Sequence, residues 1–308
     1  MLTTTTLQPV LTKIAVAMLQ EPKDFVGLSL FPLFRTGLLS SMYWVVDPAA
    51  MVTAQPNMPR SPGAPFARSL TKLGSDVYST EQYAHEESMG REENAKYARP
   101  GAAQEAATRR AVRVVLLGHE QRVMLQCTGA AVPSAAVATA WTDVNSDPIG
   151  DVAAARQYIF SGSSMDANIM TVPWTVYEVL KRHPKIQAIV KISDGDSRWP
   201  ALLAALFDVD KFAVAKDAVN MANEGQAFSL SQVWADNVML AHVDTTEDLQ
   251  APSFGRTFIV TDEESPDGIS VETYGEEVLA AISVRAFQHT AEKLTGAMLG
   301  YRLYGVLG

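Results

Sequence analysis

"WTDVNSDPIGDVAAARQYI", residues 141–159, sets Asp143, Asn145 and Asp147 at alternate positions, as the first half of a calcium-binding loop does. A twelve-residue loop begun at Asp143 needs glycine at its sixth position for a sharp turn and a bidentate glutamate at its twelfth. The chain has Pro148 and Ala154 there. The same residues satisfy a helix start: Asp147 as N-cap, Pro148 at the first helical position where its missing N–H costs nothing, and a helix over 148–160. The stretch is therefore read as the beginning of a helix and not as a metal site.

Downstream, short helices alternate with short strands. Helices are expected at 172–182 ("VPWTVYEVLKR"), 184–191 and 198–207, and strands near 210–215, 237–243, 255–260, 270–275, 282–290 and 298–307. The turn clusters "DGDS" and "DEESPDG" separate them. This order is α+β and not doubly wound, and it contains no internal repeat.

Upstream, "GAAQEAATRRAVRVVLLGHEQRVMLQCTG", 101–129, is the strongest helix signal, with Val112, Val115, Leu116, His119 and Val123 along one side and Glu105 four residues before Arg109. At about 1.5 Å per residue it spans about 40 Å, long enough for a strut, and Gly118 is where a bend is expected. Residues 7–19 place Leu7, Val10, Leu11, Ile14 and Met18 on one face of a short amphipathic helix. "FVGLSLFPLF", 25–34, is apolar but cut by Gly27 and Pro32, so it cannot form a core alone and must lie against its own chain or a neighbour's. "SMYWVV", 41–46, has strand composition; a proline-dense tip follows, and extended structure resumes near 75–84. The whole reads as a long two-stranded excursion. An isolated ribbon is marginally stable in water, so this one is either disordered or supported by another molecule.

At 308 residues and 47% hydrophobic, the chain can bury a sizeable core as one large domain or two ordinary ones. A net charge of -9 argues against a surface devoted to nucleic-acid phosphates. The one cysteine, Cys127, excludes an internal disulfide and fits a reducing compartment. The beginning of the chain lacks the features of a secretory signal, and no apolar run is long enough for a membrane span.

The chemical inventory is thin. "FSGSSMD", 160–166, lacks the second glycine of a nucleophile elbow, so Ser163 and Ser164 are read as loop or cap residues. Neither phosphate-binding glycine pattern occurs, and no cofactor is implied. No two of His85, His119, His183, His242 and His289 have zinc-site helical spacing. His119 is expected to be packed or hydrogen-bonded, Cys127 a small buried hydrophobe, Asp194 and Asp196 a solvated turn, and Glu86, Glu87, Glu92 and Glu93 a solvated face. No catalytic, cofactor or metal residue is assigned, which moves weight to a structural, non-enzymatic role.

Five blocks in order and spacing carry a resemblance: residues 141–159, "ANIMTVPWTVYEVLKRHPKI", "LLAALFDVDKFAVAKDAVNMANEG", "VWADNVMLAHV" and "APSFGRTF". Together they resemble the major capsid proteins of tailed bacteriophages with the Hong Kong 97 fold. The match covers roughly 141–260 and is looser upstream. The resemblance implies an N-terminal arm (1–40), an extended E-loop hairpin (41–90), a peripheral domain with a long spine helix (91–140), an axial domain (141–254) and return strands of the peripheral domain with a C-terminal axial strand (255–308). It implies pentamers and hexamers of an icosahedral head enclosing double-stranded DNA without sequence-specific binding. Assembly would take place in the host bacterial cytoplasm, with scaffolding, portal and decoration proteins as further partners; because the chain starts almost directly with the arm, any scaffold is expected as a separate protein. Lys72 lies in the hairpin region, but no motif points to the subunit crosslinking of some relatives. Contact candidates are Phe25, Leu28, Phe31 and Phe34 in the arm and Tyr43, Trp44, Met51 and Phe66 in the hairpin; the competing reading for each is packing within its own chain. Arg109, Arg110 and Arg113 are expected as solvated helix charges, with DNA or a neighbour's carboxylates as the alternative. Two rivals remain: an encapsulin-like nanocompartment shell, and a soluble α+β hydrolase or metal enzyme.

Overall fold

A computed structural model describes residues 6–21, 24–45, 62–63, 74–90, 92, 96, 101–190, 198–220, 222, 225–263, 265–276 and 281–308. The first half carries β1 (Thr6–Leu7), α1 (Pro9–Gln20), α2 (Gly27–Leu30), β2 (Leu33–Thr36), β3 (Ser40–Val45), β4 (Gly74–Ser79), β5 (Glu81–Gly90), α3 (Ala102–Cys127), β6 (Ser134–Ala136) and α4 (Pro148–Ser163). The second half carries β7 (Ile169–Pro173), α5 (Trp174–Arg182), α6 (Pro184–Val190), α7 (Trp199–Leu206), β8 (Lys211–Ala215), β9 (Ala218–Asn220), β10 (Leu230–Gln232), β11 (Val238–Ala241), β12 (Gly255–Val260), β13 (Ile269–Glu276), β14 (Ala281–Leu294) and β15 (Gly300–Tyr304).

The long strand β14 organises the larger sheet. β5 runs antiparallel along one side of it, from Ala281 to Thr290, while β13 and then β12 share the other side. β2 adds in parallel to β12, and β1 closes the far edge on β13. Alternation decides what each face meets. On β12, Ile259 faces a core that includes Val112, Val115 and Leu116 of α3, whereas Phe258 faces the β3–β4 ribbon. The sheet is thus covered on one face by α1 and α3 and, over β12, by the ribbon on the other.

The second sheet, in the order β6-β15-β11-β7-β8, packs with α4 to α7 around Trp141, Trp199, Ile159, Met170 and Leu180. A third cluster joins the two bodies through Val26, Phe31, Val123, Trp234 and Phe254. Phe31 and Phe254 meet edge to face at 5.7 Å. Glycine is required beside them: a Cβ on Gly255 would stand 2.6 Å from the Phe31 ring and one on Gly300 2.2 Å from Phe254.

The helix begun at Pro148 forms, with Asp147 at the N-cap position but no side-chain cap bond. Other carboxylates in the stretch are used: Asp143 accepts the Asn145 N–H at 2.8 Å, and Asp151 accepts the Trp141 indole N–H at 2.8 Å. Three expectations need correction. Residues 169–173 form a wholly buried strand, so the helix expected from 172 begins at Trp174; a five-residue apolar run ending in proline carries no helical period that would separate the two. The buried face of α1 is Leu11, Ala15 and Leu19, while Val10 is 71% exposed. Ala15 belongs inside because α1 lies in one core with Ala103, Ala107 and Ala111 of α3, where only small side chains allow close approach. β14 extends four residues beyond the expected end at 290. Cys127 and His119 are buried, as expected. Glu86 and Glu87 are engaged rather than simply solvated, Glu86 with Arg285 and Tyr274 and Glu87 with Arg110. Met51, Phe66, Lys72, Glu93, Asp194 and Asp196 lie outside the described residues.

Candidate assembly surface

The β3–β4 ribbon has two different faces. Its inner face lays Tyr78 flat on Phe258, with centroids 4.2 Å apart and planes within 5°; Tyr43 lies 5.2 Å from the same ring and Phe34 meets it edge-on at 5.5 Å. The polar ends are satisfied. Tyr43 donates to Asp76 Oδ2 at 3.1 Å, and the Tyr78 hydroxyl pairs with Thr36 Oγ1 at 2.8 Å. Burial pushes the Tyr43 hydroxyl well above its ordinary range, while the Val77 N–H holds the Asp76 carboxyl below its own.

The outer face carries Met42, Trp44 and Val77, exposed by 63, 42 and 51%. Met42 is directly opposite Val77 in the register, and Leu38 and Leu39, both exposed, lead into the same strand. Isolated exposed apolar residues are ordinary; several on one narrow ribbon are a feature of contact surfaces.

The sequence-derived contact residues therefore separate. Phe31 and Tyr43 are buried within their own chain, and Phe25 nearly so, with the Arg113 guanidinium 5.8 Å from its ring. The first two have no ring surface left for a neighbour. Leu28 and Phe34 are half-buried, and Trp44 is exposed. Grouping Tyr43 with Trp44 could not hold on a strand, because consecutive side chains point to opposite faces. That same alternation was the signal for Met42, which was missed along with Val77, Leu38 and Leu39.

The ribbon and the β2 segment are fastened to the structure beneath them. Arg256 is buried and donates to the carbonyls of Thr246 and Asp248 at 2.6 and 2.7 Å, shaping a loop whose Leu249 packs under the ribbon and whose Glu247 pairs with Arg35. Between α3 and β14, Arg122 reaches Glu292 with two bonds of 2.9 and 3.0 Å and Thr290 with a third. His119 Nε2 lies 3.0 Å from Thr257 Oγ1. Burial lowers the His119 imidazole to about 4, so it is neutral at neutral pH. For Glu292, burial is the largest influence and opposes ionisation, but the bonds and charge of Arg122, the neighbouring His119 and the Thr290 bond together outweigh it, and the carboxyl stays below its ordinary value.

The segment that enters α2 is held by Glu120, which is fully buried. Its Oε1 accepts from the Val26 N–H at 3.0 Å and the Trp234 indole at 2.5 Å, and its Oε2 from the Gly27 N–H at 2.7 Å. Gly27 is needed there, since a Cβ would sit 2.7 Å from Oε2. A groove of about 570 Å³ runs between α1 and α3, floored by Ile14, Met18 and Leu116 and rimmed by Lys13, Glu21 and Arg109. Arg110 and Arg113 are half-exposed ion-pair partners of Glu87 and Asp24, and Arg109 lies 4.0 Å from Glu105. No cluster of three metal-ligating side chains occurs among the described residues. No helix among them is long and apolar enough to cross a membrane.

No protein-family model matches the chain. The major capsid protein of Burkholderia phage BcepMu is 26% identical over 173 residues, covering 54% of this chain and 53% of that protein. The chain thus spans about half the length of the curated relative it matches. A phage-related protein from Bordetella bronchiseptica superposes with a TM-score of 0.74 at 22% identity, covering 98% of both chains. The capsid of cyanophage P-SCSP1u gives a TM-score of 0.55 at 11% identity over 92% of this chain and 88% of that one. The chain has the Hong Kong 97 capsid fold. A virus-like particle protein from Pyrococcus furiosus shares it, with a TM-score of 0.59 at 11% identity over 96% of this chain and all of that one. Within this fold Phe258 holds the ribbon on the larger sheet, Glu120 holds Val26 and Gly27 on α3, and Arg122 holds α3 on β14.

Proposed function

We propose that this chain is the major shell subunit of a tailed-bacteriophage head, assembling into pentamers and hexamers that enclose double-stranded DNA. The observation that carries the reading is the ribbon's outer face, where Met42, Trp44 and Val77 lie exposed on a two-stranded element that needs support. A second copy of the same chain supplies that support. Contacts between different patches of identical subunits close into rings when the rotation permits. At about 25 cal/mol per Å² of apolar surface, each contact contributes a few kcal/mol before the entropy of association is subtracted, and many such contacts sum over a shell.

On this reading residues 1–40 are the arm, 41–90 the E-loop, 91–140 the peripheral domain with α3 as spine helix, 141–254 the axial domain and 255–308 the return and C-terminal strands. Trp44, Leu28 and Phe34 are the described contact candidates that retain free surface. The capsid protein of the Burkholderia phage supports a phage head over a nanocompartment, because it is the relative matched by sequence. Scaffolding, portal and decoration proteins complete the partner set, the site of assembly is the host cytoplasm and the location is the virion shell. The chain's role is structural and not catalytic.

The test is expression of the chain alone and with residues 50–66 deleted, followed by negative-stain microscopy and sizing of particle contents. Closed icosahedral shells from the intact chain and a folded but unassembled deletion are expected. A small soluble oligomer from the intact chain even when the scaffolding protein is co-expressed, or normal shells from the deletion, contradicts the assignment; shells that carry enzyme in place of nucleic acid support the nanocompartment.

A further inference from the structure

The loop between β11 and β12 links the joint between the two bodies to the ribbon. It leaves the second sheet after Ala241 and enters the larger sheet at Gly255, and both of its ends, at Val243 and Phe254, lie in the cluster that joins the bodies. The Phe254 N–H donates to the His242 carbonyl at 2.9 Å and closes its neck. Its tip reaches the face of β12 that carries the ribbon. There Leu249 packs against the cluster of Tyr43, Tyr78 and Phe258, and Glu247 pairs with Arg35 of β2 at 2.8 Å.

Root and tip are held differently. Arg256, 1% exposed, lies two positions before Phe258 and so on the same face of β12. Its guanidinium donates to the carbonyls of Thr246, Asp248 and Ala251 at 2.6, 2.7 and 3.4 Å. The carboxylates of Asp244 and Asp248 turn back to accept the N–H groups of Thr246 and Gln250. A planar fork bonded to successive carbonyls fixes the curve of the backbone, which a point-charged ammonium does not. The tip is softer. The side chains of Arg35 and Glu247 are 44 and 52% exposed, and a pair so solvated contributes little. Leu249 is only half-buried.

We propose that residues 244–251 are a strap with a fixed root and an adjustable tip, through which the angle between the two bodies sets the inclination of the ribbon. Phe258, under Tyr43 and Tyr78, is the pivot. A shift at the joint moves both ends of the loop together, and the knot at Arg256 carries it to the tip without deforming the sheet between them. The strap rests on the capsid reading only for its purpose: rings of five and of six subunits built from one chain meet at different inclinations, and a soft tip lets the ribbon follow.

Hydrogen–deuterium exchange of the full chain in residues 40–45 and 74–79, with residues 148–163 as internal control, reads the ribbon's attachment in Leu249→Ala and Arg256→Lys. Each is expected to speed ribbon exchange roughly ten-fold with the control unchanged, although the Arg256 guanidinium bonds the loop and not the ribbon. The double variant should match the larger single one, because both act through one strap. Ratios that multiply, or a ribbon indifferent to both changes, overturn the strap. Should Arg256→Lys fail to fold, Leu249→Ala and a second measurement decide. Arg35→Cys with Glu247→Cys, joined by a short bis-maleimide while Cys127 stays buried, ties the tip down. Closed shells from the untied chain and none from the tied one are expected. Normal closed shells from the tied chain overturn the adjustable tip, and the expected exchange ratios without shells from any variant or the wild type overturn the capsid reading alone.

Discussion

The seam between α3 and β14 and the ribbon of β3 and β4 are joined through one sheet, yet they are built on opposite rules. In the seam Arg122, Glu292, Thr290, Thr257 and His119 satisfy one another inside the chain as one network. In the ribbon only the inner face is satisfied, by Phe258, while Met42, Trp44 and Val77 face outward without cover. The difference teaches where this subunit is finished and where it is not. Stability resides in the seam, and on the proposed reading the ribbon's outer face is kept for contact with another copy.

The comparison can be broken or sharpened by substitution. The largest effect is expected from Phe258→Ala, which removes the ring beneath Tyr78, Tyr43 and Phe34 and should cost about 4 kcal/mol in urea unfolding while freeing the ribbon. Arg122→Ala follows, at about 3 kcal/mol, because it leaves the Glu292 carboxylate buried without its cation. A change in stability below about 1 kcal/mol from Arg122→Ala would show that the seam does not carry the fold, and one as small from Phe258→Ala that the ribbon's inner face is not packed on the sheet.

A pH-dependent difference comes next. With the folded His119 value lowered to about 4 from 6.5, its contribution is fully present above 6.5 and lost as pH falls towards 4, since the unfolded chain binds the proton first. The stability gap between the wild type and His119→Gln should therefore narrow by on the order of 3 kcal/mol across that window. A gap that stays constant with pH would mean the imidazole is not held neutral. Glu292 has the same sign at lower pH, being held below its ordinary value mainly by Arg122 against burial. The smallest effect on stability belongs to the double variant Met42→Ser with Trp44→Ser, within about 0.5 kcal/mol, although assembly should be lost. A large loss of stability would place those side chains in the subunit's own core.

What could be read from the sequence follows from range. The 26-residue helix α3 was legible because its apolar residues repeat locally, and the helix over Pro148 because proline and aspartate mark a boundary within two residues. The face of α1 was misjudged because hydropathy favours Val10 and Met18 over Ala15, and only the partner helix makes a small residue the better choice. Glu120, Arg122 and Arg256 gave no signal at all. Arg122 meets Glu292 across 170 positions and Glu120 meets Val26 across 94, so nothing in any local window identifies them as buried partners. The ribbon lies between these cases: its alternation was present in "SMYW", but whether Tyr43 or Trp44 faced inward depended on Phe258, more than 200 residues away.

The most direct measurement is the reaction rate of a maleimide with Met42→Cys, compared between dissociated subunits and assembled particles, with buried Cys127 as the silent background. Rapid labelling of the subunit and at least ten-fold slower labelling of the particle is the outcome the account requires. Equal rates in the two states would mean that the outer face of the ribbon stays uncovered in the shell, and the division between a finished seam and an unfinished ribbon would fail.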